Sequence, residues 1–162
     1  MAVITMSGRA GMARSIKNSP LYIAWGQGPI SAESSNERLP EDPTQSSLAR
    51  EVGRRIVDDV QFVVGDDQGA LVTPTGRWTV SNVPTNNLYI SATFDFENAN
   101  GYTIREYGLF VNTEVSSECP PGQRYFLPTD LVSPGELLML ENCVPLIRTG
   151  DTRHECNFVM SL

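Results

Sequence analysis

The sequence predicts a mainly β protein, an antiparallel sandwich or barrel-like domain with one short N-terminal helix and long irregular arms. Three observations lead to this prediction. Short apolar or alternating segments recur along the 162-residue chain, clusters of Gly, Pro, Asp and Asn separate them, and only one segment has helical spacing. A chain of this length can bury a hydrophobic core, so we expect a single β-rich domain over residues 1–162.

The first predicted elements are a helix, a strand and an arm. Within residues 8–18, Met12 and Ile16 lie four positions apart, which is helical spacing, and Pro20 ends the helix. The apolar run 21–25 is typical of a buried strand. Residues 29–47 are rich in Pro, Ser, Glu and Asn. A segment this long without structure is usually functional or disordered, and we expect an extended arm that contacts a neighbouring protein.

Alternating apolar and polar residues predict the remaining strands. In residues 88–96, Ile90, Ala92 and Phe94 share one face. A turn at 98–101 then predicts that 102–111 returns as the antiparallel partner of this strand. Residues 112–122, which contain two adjacent prolines, form a second predicted arm. The other predicted strands are 60–64, 70–73, 125–127, 137–140, 144–147 and 156–162.

The charge balance argues against a nucleic-acid binder. Twelve Lys and Arg residues stand against 19 Asp and Glu residues, a formal net charge of −7. No apolar run approaches the roughly 20 residues that span a bilayer, so we expect no membrane partner. The N-terminal segment lacks the apolar core of a secretory signal, and we expect the protein to stay in the cytoplasm unless a larger assembly carries it out.

The three cysteines leave several interpretations open. Buried free thiols are the leading one. Cys143 and Cys156 could form a disulfide after release into an oxidising medium. Cys119, Cys143, His154 and Cys156 have the number of ligands that a zinc site needs, but no Cys-x-x-Cys knuckle is present. We therefore predict no metal and no cofactor.

No pattern of residues indicates catalysis. His154 is the only histidine, no Gly-x-Ser-x-Gly elbow is present, and Gly26-Gln27-Gly28 lacks the third glycine of a dinucleotide loop. The sequence thus predicts a protein that is not an enzyme. Two alternatives stay open. One is a carbohydrate-binding module that uses aromatics such as Trp25 and Trp78. The other is a small hydrolase of cell-wall sugars, which would need two carboxylates flanking a cleft.

Glu106 occupies an unusual position. On a regular strand it shares a face with Ile104 and Phe110, and a carboxylate on a buried face is costly unless it is paired. The sequence therefore predicts an ion pair between Glu106 and either Arg54 or Arg55.

Four segments, in order, carry a resemblance to a known family. The segment from Ile104 to Phe110, Ile-Arg-Glu-Tyr-Gly-Leu-Phe, resembles the "IREIGLF" signature of phage tail-collar and tail-fibre N-terminal domains. Residues 8–28 are similar to that family's opening helix and "lalGdG" strand. Residues 48–55 resemble its "L-x-x-E-x-x-R" element, and 88–96 occupies the place of the strand before the signature.

The resemblance implies a structural protein of a bacteriophage virion. Its expected position is the tail or neck, after assembly in the host cytoplasm. The expected partners are other tail, baseplate or fibre proteins, and the expected state is a homo-oligomer, a trimer or a ring. The chain continues to Leu162 without a repetitive shaft, which favours an adaptor that attaches or supports tail fibres. A neck or collar fibre component is the alternative within this class.

Overall fold

The computed structural model describes residues 1–162 and confirms a mainly β, antiparallel fold with one short N-terminal helix. The helix is α1 (Met6–Lys17). The strands are β1 (Leu21–Gly26), β2 (Glu51–Ile56), β3 (Asp59–Gly65), β4 (Leu71–Thr73), β5 (Gly76–Val80), β6 (Asn87–Phe94), β7 (Thr103–Val111), β8 (Glu114–Val115), β9 (Tyr125–Phe126), β10 (Leu131–Ser133), β11 (Glu136–Ile147) and β12 (His154–Ser161).

The chain divides into two compact units. The first comprises residues 1–19, 57–93 and 155–162, and the second comprises residues 20–56 and 94–154. The single domain predicted for residues 1–162 stays a prediction.

The first unit combines α1 with a sheet of order β12-β6-β3-β5-β4. Thr5 caps the helix N-terminus, because its side-chain oxygen accepts a hydrogen bond from the amide of Gly8. At the other end, Lys17 donates to the carbonyl of Val60 and lies over the ring of Phe62. These contacts fix the helix to β3.

The second unit contains a five-stranded sheet of order β11-β7-β1-β2-β9, in which every neighbouring pair is antiparallel. Side chains alternate across β1, so Tyr22 and Ala24 face one side and Trp25 the other. The first side carries the core cluster of Tyr22, Ala24, Leu48, Phe110 and Phe126. A separate two-stranded sheet joins β8 and β10.

The pairing predicted between 88–96 and 102–111 is wrong. The strand β6 pairs with β3 and stands beside β12, whereas β7 pairs with β1 and β11. The short turn predicted at 98–101 made a hairpin the simplest expectation. However, β7 can bury both of its edges between β1 and β11, which a hairpin with β6 would prevent.

Candidate functional site

Glu106 is a buried carboxylate in the five-stranded sheet. It lies on β7, opposite Gly26 of β1 and Asn142 of β11, and only 1% of its surface is exposed. The glycine makes room for it, because a β-carbon added at Gly26 would lie 2.2 Å from Glu106 Oε1. A close approach of this kind is a recognised reason for glycine inside a strand.

The Glu106 carboxylate fastens both ends of the arm, which we define as residues 29–47. Its Oε1 accepts a hydrogen bond from the amide of Gly28 at 3.2 Å, just before the arm. The same atom accepts from the amides of Ala49 and Arg50 at 2.9 and 3.3 Å, just after it. Three backbone donors on one carboxylate oxygen compensate for burying the charge and close the base of the arm.

Two arginines hold the first turn of the arm. Arg105 donates from Nε to the carbonyl of Ala32 at 3.2 Å and from Nη2 to that of Glu33 at 2.6 Å. Arg50 donates from Nε to the carbonyl of Gly28 at 2.8 Å and forms an ion pair with Glu33 at 2.7 Å. Adjacent signature residues, Arg105 and Glu106, therefore bind the same arm from positions on opposite faces of β7.

Gly108 completes the contact on the core side. A β-carbon there would lie 2.9 Å from Leu137 and Phe110 and 3.0 Å from Leu48. Leu48, directly after the arm, is buried in the core cluster. The glycine of the signature thus leaves space for the leucine of the second motif.

Arg54 organises the root of the second predicted arm. It is fully buried and forms a two-pronged ion pair with Glu51, with both contacts at 2.7 Å. Its Nη1 donates to Thr113 Oγ1 at 2.7 Å and to the carbonyl of Pro134 at 2.6 Å, and its guanidinium lies 4.0 Å from the centre of the Phe110 ring. Hydrogen bonds and stacking together hold the chain as it leaves β7.

The arginines predicted to pair with Glu106 have other carboxylate partners. Arg54 pairs with Glu51, three residues before it, and Arg55 pairs with Asp95 at 3.2 Å. The expectation that the buried carboxylate needs partners is met by backbone amides instead. Sequence spacing gives no sign of such partners, although the glycines on either side of Gln27 were a usable signal of a close backbone approach.

Part of the second arm, residues 112–122, is ordered by packing. Glu114 and Val115 form β8 against β10. Val115 and Cys119 pack against the core cluster. This segment is therefore tied to the sheet at two points rather than being extended throughout.

The cysteines and the histidine do not assemble into a site. The structure contains no disulfide, and the disulfide between Cys143 and Cys156, expected to form only in an oxidising medium, stays a prediction. No group of three or more His, Cys, Asp or Glu side chains is arranged to hold a metal ion. Burial raises the pKa of the Cys143 thiol, which lowers its reactivity because the thiolate is the nucleophile.

The aromatic residues considered for sugar binding are mostly in the interior. Trp25 is fully buried, stacks on Phe94 with ring centres 3.6 Å apart, and makes an edge contact with His154. Trp78 is partly buried and donates from Nε1 to Thr73 at 3.1 Å. The interpretation of Trp25 as an exposed platform is wrong, because Phe94 and His154 pack against its ring and leave none of it exposed.

A cavity of about 320 Å³ adjoins Glu106 and is walled by arm residues and by Asn142. Glu106 is the only carboxylate among its lining residues, so it lacks the pair that glycoside hydrolysis uses. The second oxygen of Glu106, Oε2, accepts a single long hydrogen bond, from Gln45 Nε2 at 3.4 Å. The chemistry available here is the recognition of a hydrogen-bond donor or a cation.

The single α-helix, α1, is too short and too polar to cross a membrane.

Comparison with curated proteins returned no match. A family model described as "Baseplate wedge 3 tail fiber network component" matches residues 1–162. The resemblance to phage tail proteins is thereby confirmed over the whole chain. We conclude that this chain belongs to the baseplate wedge 3 tail fiber network component family.

Proposed function

We propose that this structural baseplate protein is an adaptor that attaches or supports tail fibres, and that the arm is the surface it offers to them. The observation that carries the proposal is the attachment of both ends of the arm to one buried carboxylate oxygen, that of Glu106. A binding loop that is ordered beforehand loses less conformational entropy on association.

The outer residues of the arm support the same role. Ser34, Asn36 and Glu37 at its tip are exposed, whereas the sheet side of the arm is held by Arg105 and Arg50. A loop that runs over the surface on a rigid scaffold is the usual location of binding residues. In this proposal, the buried charges of this unit serve to orient a contact surface.

A charge-matched pair of variants tests the proposal in phage particles. The arm variant carries Ser34→Arg and Glu37→Arg, and the control carries Asp67→Arg and Gln68→Arg in the exposed turn after β3. Both pairs change the net charge by the same amount. We expect arm-variant particles to contain the protein but few or no fibres in electron micrographs, and control particles to carry the normal number. A full set of fibres on arm-variant particles would contradict the proposal.

Assembly in the host cytoplasm and a homo-oligomeric state, a trimer or a ring, belong to the same proposal. The exposure of apolar side chains on two strands of the second unit supports the oligomer. Val132 of β10 is 69% exposed and Ile147 of β11 is 71% exposed. Light scattering of the purified protein tests the oligomer. A monomeric mass at every concentration would rule out the oligomer but leave the adaptor role open.

A further inference from the structure

A groove runs between the arm and the outer edge of β11. Residues 41–45 of the arm form one wall, residues 137–140 of β11 form the floor, and Glu106 with Asn142 lies at one end. It consists of two cavities of about 460 and 320 Å³ that share Gln45 as a lining residue. We call it the arm–edge groove.

The floor of the arm–edge groove is an incompletely covered strand edge. The strand β11 is the terminal strand of its sheet, with β7 on one side only. The amide of Asn142 points away from β7 and donates to Glu41 Oε1 of the arm at 3.1 Å, while the Asn142 side chain donates to the carbonyl of Pro40. The arm thus covers the edge at this residue.

Alternate residues of an antiparallel strand point their amide and carbonyl groups away from the paired strand. Counting back from Asn142, Leu140 is the next residue that does so, and it lies on the groove floor. Nearby, Leu138 is 38% exposed. An edge with free backbone groups and apolar side chains is a template for the addition of another strand.

The charge in the groove favours a cationic segment. Two hydrogen bonds from Thr44 lower the pKa of Asp42, and a hydrogen bond from Arg38 lowers that of Glu41. Arg38 pairs with Glu41 at the rim. The negative charges that remain facing the groove are those of Asp42 and of Glu106, whose Oε2 accepts only the long hydrogen bond from Gln45. A lysine or arginine that enters the smaller cavity would give this oxygen the charged partner that the chain itself does not provide.

We propose that the arm–edge groove binds an extended segment of a neighbouring tail protein in which basic and apolar residues alternate. The segment adds to β11 as a further strand, with its backbone on the free edge at Leu140. Its apolar residues lie against Leu138, and one of its basic side chains reaches Glu106. The identification of the partner as a tail protein rests on the function proposed above, whereas the groove and the chemistry of its ligand do not.

A decapeptide that alternates lysine and valine is the probe, and a decapeptide that alternates glutamate and valine is its control. Calorimetric titration of the full chain measures affinity, and amide exchange with and without peptide reports on Leu140. We expect only the lysine peptide to bind, and we expect it to slow exchange at Leu140. Absence of binding, or binding that leaves exchange at Leu140 unchanged, would overturn the proposal.

Two single substitutions separate groove binding from general attraction to an acidic protein. Leu138→Arg places a positive charge in the groove, and Val72→Arg places one on an exposed strand position of the first unit. Like charges at an interface disfavour binding, so we expect Leu138→Arg to weaken binding about tenfold and Val72→Arg to change it less than about twofold. Equal effects of both variants would refute the groove.

The same variants distinguish the other candidate occupant. A concentration-dependent dimer that Leu138→Arg abolishes would assign the groove to a second copy of this chain and overturn the proposed partner. If the lysine peptide binds as described but arm-variant particles keep their fibres, the groove stands and the adaptor role of the arm fails. If arm-variant particles lose their fibres but the lysine peptide does not bind, the adaptor role of the arm stands and the groove proposal fails.

Discussion

Replacement of Glu106 by alanine should release the arm and destabilise the protein. The substitution takes the acceptor away from three backbone amides, those of Gly28, Ala49 and Arg50. A buried donor left without a partner costs about 1–3 kcal/mol, whereas an exposed one can bond to water. Gly28 is buried, Arg50 is partly buried and Ala49 is exposed.

The expected loss follows from these three environments. The full penalty at Gly28 and part of it at Arg50, together with the lost contacts of the side chain, gives a decrease of about 3 kcal/mol in the free energy of unfolding. Glu106→Gln keeps an acceptor oxygen but removes its charge. Charge-assisted hydrogen bonds are about twice as strong as neutral ones, so we expect this variant to lose about 1–2 kcal/mol.

Urea denaturation followed by tryptophan fluorescence measures the global effect, and amide exchange measures the local one. Glu118→Ala, at an exposed position of the second arm, is the control and should change stability by less than about 0.5 kcal/mol. In Glu106→Ala we expect the exchange of the Gly28 and Arg50 amides to speed up more than the exchange of the amides of β1. The reasoning is refuted if Glu106→Ala is as stable as the control and these two amides keep their protection.

Three further predictions concern packing and pH. Gly26→Ala should lower the free energy of unfolding, measured by urea denaturation, by about 1–3 kcal/mol, because its methyl group would overlap a buried carboxylate. In contrast, Gly11→Ala should raise the free energy of unfolding by up to about 1 kcal/mol, because its methyl group would meet no atom within 4 Å. Burial and, secondarily, Arg148 lower the pKa of His154 from its usual 6.5. The contribution of His154 to stability is therefore present above pH 6.5 and is lost as the pH falls through the lowered pKa. His154→Phe should flatten the dependence of the free energy of unfolding on pH in this range, and an unchanged dependence would contradict the prediction. Burial raises the pKa of Tyr125 to about 12, so stability should fall as the pH rises from about 10 to 12, and ultraviolet titration of Tyr125→Phe should lack the last tyrosine to ionise.

Much of the fold could be predicted because its signals are local. The apolar run that became β1, the alternation in β6 and the helical spacing in α1 each reflect a residue's own neighbours along the chain. The strands β2, β5, β8 and β10 were not predicted. Three of them have five residues or fewer and gain their stability from their partners, whereas β2 contains Gly53 and two adjacent arginines, which interrupt any apolar pattern. The two short strands predicted at 137–140 and 144–147 are one strand, β11, whose two register shifts interrupt the alternation.

The partners of Glu106 could not be predicted from the sequence. The shared face with Ile104 and Phe110 was sufficient to predict that Glu106 is buried and needs partners. It was not sufficient to identify them, because any backbone amide can serve and no residue type marks one. Arg54 pairs with Glu51 instead of Glu106, because Glu51 lies only three residues away on the same strand and accepts hydrogen bonds from Arg54 with both carboxylate oxygens. Bringing together two residues so close in sequence costs far less chain entropy than bringing Arg54 to Glu106.

The attachment of the arm at its base makes its tip a natural place for grafting. Glu106 and Arg105 hold the chain up to Glu33, and Asn142 holds it again from Pro40 onwards. Residues 34–39 therefore connect two fixed points. Doubling the length of such a connection costs only about 0.6 kcal/mol in closure entropy. Foreign epitopes or fibre-docking peptides inserted here should leave the sheet folded, so recognition can diverge, or be redesigned, independently of the scaffold.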